Sequence, residues 1–196
     1  MFESLKRRNY ANELSRRFEL EALPLTGNLF RVAMYLKRDR DEAEDLVQET
    51  LMEGLKSFHR YSPGTNIKAW LTTIMYNTHY KQLKKSSRLQ LMPEKEDMMA
   101  QTAVFEPPVP VGLTDEVIIE ALNNLPENFR VVVLFSDVEE FSYKEIAKIL
   151  ELPMGTVMSR LHRGRKLLRN ELTAVAREFG ILHEVPEFKK KEGGNS

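Results

Sequence analysis

From Ser142 to Lys166 the chain reads SYKEIAKILELPMGTVMSRLHRGRK. Ser142 followed three residues on by Glu145 is a capping box. The serine oxygen takes a backbone N–H of the first turn, and the glutamate reaches back to the serine's own N–H. Ile146, Ile149 and Leu150 share one apolar face of the helix that starts there, and Ala147 is small enough for close helix approach. "ELP" interrupts. Periodicity resumes with Val157, Leu161, Gly164 and Leu168 at i, i+4, i+7 and i+11, one narrow stripe. Gly164 in that stripe predicts close packing by the preceding helix. The opposite face carries Ser159, His162, Arg163 and Lys166, with Met158 and Arg165 at its margins. Two short helices joined by a tight turn, the second one basic, are predicted to form a helix-turn-helix.

The rest of the chain is predicted to be helical as well. "RVVVLF" (130–135) is β-branched but continues a helical pattern of Val117, Ile118, Ala121, Leu122, Leu125, Phe129, Val132 and Val133. Pro126 within "NNLPEN" suits a helix start and not a helix interior. The fold class is therefore all-α. "FEPPVPVG" excludes regular helix and favours extended backbone. It marks a linker at 91–112 between two helical domains, 1–90 and 113–182, and "FKKKEGGNS" belongs to a disordered tail at 183–196.

The 196 residues sum to a formal net charge of zero, but the charge is blocked. Asp39–Glu53 sets seven acids against Arg40, and Arg60–Gln90 has six bases and no acid. Met92–Glu140 is strongly acidic, and Ser142–Asn170 is basic again. Two separated basic blocks suit two contacts with a polyanion, or two solvated helix faces. There are no cysteines, so disulfides and thiolate metal sites are excluded and a cytoplasmic location is expected. The charged N-terminus is unlike a secretory signal, and no window is apolar enough to span a membrane.

In a helix-turn-helix the start of the second helix enters the major groove. Thr156, Met158, Ser159, His162 and Arg163 are placed to reach base edges, and Arg165, Lys166 and Arg169 to reach phosphates. N–H groups near Thr156 can receive a phosphate oxygen. Arg160, at the stripe margin, can instead lie over the core. His162 has no second ligand at metal spacing. A basic amphipathic helix could also lie on a membrane surface; the capped helix and tight turn before it favour DNA.

In the N-terminal half, "DRDEAEDLVQETLMEGLKSF" is a helix with an acidic first turn, which suits the helix dipole. Ala43, Leu46, Val47, Thr50, Leu51 and Leu55 supply its core face. Asp45, Gln48, Glu49 and Met52 fall on another side, which composition alone reads as solvated. "YSPGT" is a turn by its Pro-Gly pair. Asn66 or Thr65 can cap the helix that runs through Lys85, with Ile67, Leu71, Ile74 and Met75 inward. Asn77, Thr78, Tyr80, Lys81, Lys84 and Lys85 add amide, hydroxyl, aromatic and cationic groups. Aromatics among bases, without acids, suit unpaired nucleotides: bases stack and cations meet the backbone. Trp70 reads better as a core aromatic.

Together these residues resemble an extracytoplasmic-function (ECF) sigma factor, a dissociable subunit of bacterial RNA polymerase, over about residues 18–180. "DEAEDLVQETLMEGLKSF" resembles region 2.2, which in the family binds the clamp helices of the β′ subunit. "YSPGTNIKAWLTTIMYNTHYKQLKK" resembles regions 2.3–2.4, which melt and read the −10 element. "LPENFRVVVLFSDVEEFSYKEIAKILELPMGTVMSRLHRGRK" resembles region 4, which reads the −35 element and docks on the β flap. The resemblance makes Asp45, Gln48, Glu49 and Met52 polymerase contacts. It gives Ser62, Pro63, Gly64 and Thr65 a role in holding a base flipped from the −10 strand, with Asn77, Thr78, Tyr80, Lys81 and Lys84 alongside. Thr156, Met158, Ser159, His162, Arg163, Arg165 and Lys166 would face the −35 duplex.

"PGTNIKAWL" with "SRLHRGR" is most similar to the branch held inactive by small zinc-binding anti-sigma factors. The chain departs from the family at His79-Tyr80. The resemblance implies a promoter-specificity subunit and not an enzyme, with no cofactor or metal of its own and no membrane insertion. Its partners would be core RNA polymerase, promoter DNA and an anti-sigma factor. Net neutrality predicts weak DNA binding by the chain alone. A stand-alone helix-turn-helix regulator, dimeric on operator DNA, and an RNA-binding helical protein are the alternatives.

Overall fold

The computed structural model describes residues 2–85 and 115–178; the expected linker, 91–112, and tail, 183–196, lie outside the described residues. Those described form eight α-helices and no strand: α1 Phe2–Ala22, α2 Thr26–Lys37, α3 Arg40–Ser57, α4 Ile67–Lys85, α5 Asp115–Asn124, α6 Glu127–Val133, α7 Tyr143–Ile149 and α8 Met154–Glu178. Short 3₁₀ turns cover Leu23–Leu25 and Phe58–Arg60, and a π-helical turn covers Leu134–Val138. The fold is all-α, as expected.

The chain divides into two compact units. One holds 1–100 and 134–159, the other 101–133 and 160–196. In the first unit α2 ends at Arg38, which adopts the left-handed conformation (φ 60°) and donates its N–H to the Met34 carbonyl. Asp39 caps α3, its carboxylate accepting from the Glu42 N–H at 2.9 Å, and Asp41 and Glu42 place negative charge at the positive end of the helix dipole. Leu29, Val32 and Ala33 of α2, Ala43, Leu46, Val47 and Thr50 of α3, and Leu71 and Met75 of α4 are buried together in this unit's core.

The inward face of α3 differs from expectation at its end. Leu51 is only half-buried and Leu55 is 41% exposed. Gly54 takes the inner position instead, because the run 43, 47, 50, 54 keeps the 3.6-residue period. A Cβ at Gly54 would stand 3.0 Å from Leu71 Cδ2 and 3.1 Å from Phe18 Cε2, so α3 approaches its neighbours there as closely as a glycine permits.

Further along, the capping box forms as predicted. Ser142 Oγ accepts from the Glu145 N–H, and the Glu145 carboxylate accepts from the Ser142 N–H at 2.8 Å. Helix α7 stops where Glu151 turns left-handed (φ 53°) and the Leu152 N–H bonds back to the Ala147 carbonyl at 3.0 Å. This is a Schellman ending built without glycine. Pro153 then starts α8, its carbonyl accepting from the Val157 N–H.

In the second unit Pro126 precedes α6 and its carbonyl accepts from the Phe129 and Arg130 N–H groups, so "RVVVLF" is helical despite its β-branching. Beyond Val133 the helix widens into the π turn, with the Glu139 N–H bonding to the Leu134 carbonyl. That widening has no local signal in the residue pattern. Gly164 does mark a close contact, but with α6 and not with the helix immediately before it. A Cβ there would meet Val133 Cγ2 at 2.7 Å and the Phe129 carbonyl at 3.2 Å.

Candidate nucleic-acid interface

Ser62–Thr65 is a tight turn with Pro63 second and Gly64 third, the latter at φ 81°. That order and sign fit a type II turn, whose third position strongly favours glycine. The Thr65 N–H and hydroxyl both donate to the Ser62 carbonyl, at 3.3 and 2.8 Å. Asn66 caps α4 by accepting from the Ala69 N–H. Below the turn Tyr61 is buried, stacks on Phe58 (5.4 Å, 11°) and meets Trp70 at 5.3 Å; its hydroxyl donates to the Thr65 carbonyl. Trp70 belongs to this aromatic cluster but is half-buried, at its edge and not in the fully buried core its sequence reading expects. All four turn residues are exposed, so they form an outward tip on a fixed aromatic base.

Along α4, Lys81, Lys84 and Lys85 are exposed, and Asn77 and Tyr80 are half-buried. Tyr80 stacks on Tyr76 (6.4 Å, 18°), and the Lys84 ammonium lies 4.7 Å from the Tyr80 ring centre. Thr78 is buried at 9% exposure and lines a groove with Glu49, Glu53, Lys81, Gln82 and Lys85. Of the pair His79-Tyr80, His79 is 3% exposed and faces the core, while Tyr80 is half-buried.

On α8, Met158, Ser159, His162 and Lys166 are exposed and Arg163 and Arg165 half-buried, while Val157 and Leu161 are buried. Thr156 is buried at 8% exposure, beside Val157 in the first turn, and its carbonyl accepts from the Ser159 hydroxyl. The polar face drawn from the helical wheel is thus outward except at Thr156. On α3, Asp45, Gln48, Glu49 and Met52 are all exposed, with Met52 at 60%. Leu55, one turn on, extends this face with a second apolar side chain that the sequence placed in the core. Glu49 accepts from Gln82 of α4 at 2.7 Å, so one edge of this acidic face is tied to the basic helix.

One polar centre was not anticipated. The Glu139 carboxylate has no exposed surface and lies between two cations of the same unit. Arg31 of α2 donates to it through Nε (2.8 Å) and Nη2 (3.4 Å). Lys68 of α4 reaches Oε2 at 2.8 Å and the Glu139 carbonyl at 2.9 Å, and its ammonium lies 4.9 Å from the Phe141 ring centre. Burial pushes the Glu139 carboxyl up, but the hydrogen bonds and charges of Arg31 and Lys68 outweigh it and hold the group below the usual carboxylate range. The hydrogen bond to Glu139 raises Arg31 in turn. Next to it Asn66 Nδ2 donates to Glu145 Oε1 at 2.6 Å. In sequence these residues are separated by up to 108 positions, and "DVEEFSY" shows only two adjacent acids. No helix among the described residues is long and apolar enough to cross a membrane.

Two family descriptions match the chain: Sigma-70 region 2 over residues 25–89 and Sigma-70, region 4 over residues 115–168. The ECF RNA polymerase sigma factor SigE of Mycolicibacterium smegmatis is 35% identical over 149 residues, 74% of this chain and 57% of that relative's length. The ECF RNA polymerase sigma factor EcfG of Rhodopseudomonas palustris is 33% identical over 148 residues, 76% of this chain and 81% of the relative. Among solved structures, RpoE of Bartonella quintana, in complex with the anti-sigma factor NepR, superposes with a TM-score of 0.64 at 31% identity. It covers 81% of this chain and 98% of that one. CnrH, in complex with the cytosolic domain of CnrY, shares the fold with a TM-score of 0.59 at 20% identity. With both sigma-70 regions in order, and with relatives this similar over most of its length, the chain belongs to the ECF family of RNA polymerase sigma factors.

Proposed function

We propose that this chain is the promoter-specificity subunit of a bacterial RNA polymerase. It joins core polymerase, reads −35 and −10 elements and leaves bond formation to the polymerase. The presence of both sigma-70 regions in one chain carries this reading. The acidic face of α3, with Asp45, Gln48, Glu49, Met52 and Leu55 outward, suits the β′ clamp helices, and region 4 suits the β flap. The Ser62–Thr65 tip takes a base flipped from the −10 non-template strand, since a pocket on a fixed base offsets part of the cost of unstacking. Asn77, Tyr80, Lys81 and Lys84 follow the same strand along α4, and Thr78 supports them from beneath. Met158, Ser159, His162, Arg163, Arg165 and Lys166 face the −35 major groove, with Thr156 shaping the start of α8. In this reading 1–90 and 113–182 are the −10 and −35 modules.

An anti-sigma factor is the expected inhibitor. The solved relative bound to NepR supports this, and the resemblance of "PGTNIKAWL" and "SRLHRGR" supports a zinc-binding one. The site of action is the cytoplasm, where polymerase works. The deciding experiment adds the chain to core RNA polymerase and measures run-off transcription from genomic fragments. Core-dependent initiation at discrete start sites is expected. No initiation, with operator binding by a dimer of the chain alone, would replace this reading with a stand-alone regulator.

A further inference from the structure

Arg31, Lys68 and Asn66 form an anion-recognition surface. Its two cations come from different helices, and its amide sits at the foot of the −10 turn. The ligand it holds in this structure belongs to the chain itself. Glu139 fills the cation pair as a bidentate, fully buried carboxylate, and Glu145 takes the amide. Several features make this a clasp and not chance packing. The segment leaves the π turn through Glu140 in the left-handed conformation (φ 56°), which a non-glycine residue adopts at a cost. Phe141 then closes over the Lys68 ammonium and packs edge-on against Phe135. Glu145 serves its own helix cap and Asn66 at once.

Asn66 and Lys68 lie in the acid-free block 60–90, directly after the turn assigned to the flipped base, and Arg31 of α2 shares Glu139 with Lys68. Asn66 and Lys68 are the first hydrogen-bond donor side chains after that turn, positioned for a phosphate of a strand held there. We infer that Arg31, Lys68 and Asn66 form a binding site for a backbone phosphate of the −10 strand, and that Glu139 and Glu145 mask it in the free chain by occupying it with carboxylates. Promoter DNA and the 139–145 segment then compete for one site. This masking predicts weak DNA binding by the chain alone, in addition to the effect expected from its zero net charge. The inference rests on the −10 assignment of the Ser62–Thr65 turn.

The test uses the full chain and a fluorescently labelled single-stranded oligodeoxynucleotide of mixed sequence, read by anisotropy. Glu139→Gln keeps the shape and removes the competing charge; it is expected to tighten binding roughly tenfold or more, the scale of charge-assisted hydrogen bonds. Adding Lys68→Ala to Glu139→Gln should abolish the gain. Unchanged affinity in folded Glu139→Gln, or a gain that survives loss of Lys68, overturns the proposal. Hydrogen exchange on the wild-type chain guards against a variant that does not fold. Saturating oligonucleotide should speed exchange of the 139–149 amides while slowing those at the start of α4. Protection of both overturns the proposal. So does release of 139–149 by a polyglutamate peptide but not by DNA, which would make this a protein-binding site. Run-off transcription by the wild type separates the two levels: if initiation is core-dependent but the Glu139 results fail, only the masking is wrong.

Discussion

A Cβ placed on Gly164 would lie 2.7 Å from Cγ2 of Val133, closer than real Cβ atoms come to a neighbour. Val133 is buried and β-branched, and the Phe129 carbonyl stands 3.2 Å away on the same side, so neither neighbour gives easily. Gly164→Ala is therefore expected to destabilise the chain by about 1–3 kcal/mol through overpacking, less up to about 1 kcal/mol from better helix propensity. Gly155, at the exposed start of the same helix, has nothing within 4 Å of its would-be Cβ. Gly155→Ala should be neutral or slightly stabilising. Urea unfolding of both variants checks the pair; equal effects would contradict the packing account.

What the sequence revealed about this contact, and what it hid, follows from the range of the forces involved. A helical wheel shows that Gly164 lies on the buried stripe, because periodicity is local. It cannot show that α6 and not α7 presses on it. The same division runs through the candidate site. The Ser142–Glu145 box and the Ser62–Thr65 turn are legible, and the α4 cap is narrowed to Asn66 or Thr65, of which Asn66 forms it, since each is closed by residues within three positions. The outward face of α3 is legible too, and only its last turns depart from the pattern: Leu51 is half-buried and Leu55 exposed, because Gly54, with no side chain to announce burial, takes the inner position. The Glu139 cluster was not legible. Nothing local distinguishes it from Glu140, and its burial depends on cations from two distant helices.

That cluster also sets a pH dependence. Burial opposes ionisation of Glu139, yet Arg31 and Lys68 hold its carboxyl below the ordinary range, and Glu145 is shifted the same way against its own desolvation by Ser142 and Asn66. A folded-state pKa below the unfolded one means that the folded state binds fewer protons. The stabilisation is complete above the unfolded carboxylate pKa, about 4.3, and is lost as pH falls through the folded value. Glu139→Gln should therefore be less stable than wild type at neutral pH, with the gap narrowing in acid. Denaturant titrations at pH 7 and in the acid limb measure it; a pH-independent gap would refute the ion-pair origin.

Tyr61 fixes the Ser62–Thr65 tip from below through its hydroxyl and its stack on Phe58. Tyr61→Phe removes only the hydrogen bond to the Thr65 carbonyl. The stability cost is expected to be about 1 kcal/mol. Promoter opening should suffer more, because the turn proposed to hold the flipped base loses its anchor. Permanganate reactivity of melted thymines at a responsive promoter, compared with polymerase binding, reads this directly. Opening as efficient as wild type would show that the turn holds itself.

The polymerase-facing assignment of α3 makes a separate prediction. Asp45 and Met52 are exposed and pack against nothing that the core requires. Asp45→Arg and Met52→Lys should leave stability within about 0.5 kcal/mol and weaken binding to core polymerase tenfold or more, on the order expected for like-charge or polar intrusion into an interface. Leu55→Lys should behave as Met52→Lys does, although the periodic pattern had placed Leu55 inside. Surface-coupled binding measurements with core enzyme decide the point, and a destabilised Leu55→Lys would return that residue to the core.

The two ends of the outward face of α8 should fail differently. Arg163, proposed to read base edges, is half-buried, and Lys166, nearly one turn on and proposed to meet a phosphate, is exposed. With the chain bound to polymerase, Arg163→Ala should cost about 1–3 kcal/mol on the best −35 sequence and relax discrimination at one base pair. Lys166→Ala should weaken binding about equally on all −35 sequences and lower the salt dependence, log K against log salt, by about one. Competition between promoter variants at several salt concentrations measures both quantities. If Lys166→Ala changes sequence preference while Arg163→Ala changes only the salt slope, the helix enters the groove rotated from the orientation assigned here, and the base-reading residues must be reassigned around Lys166.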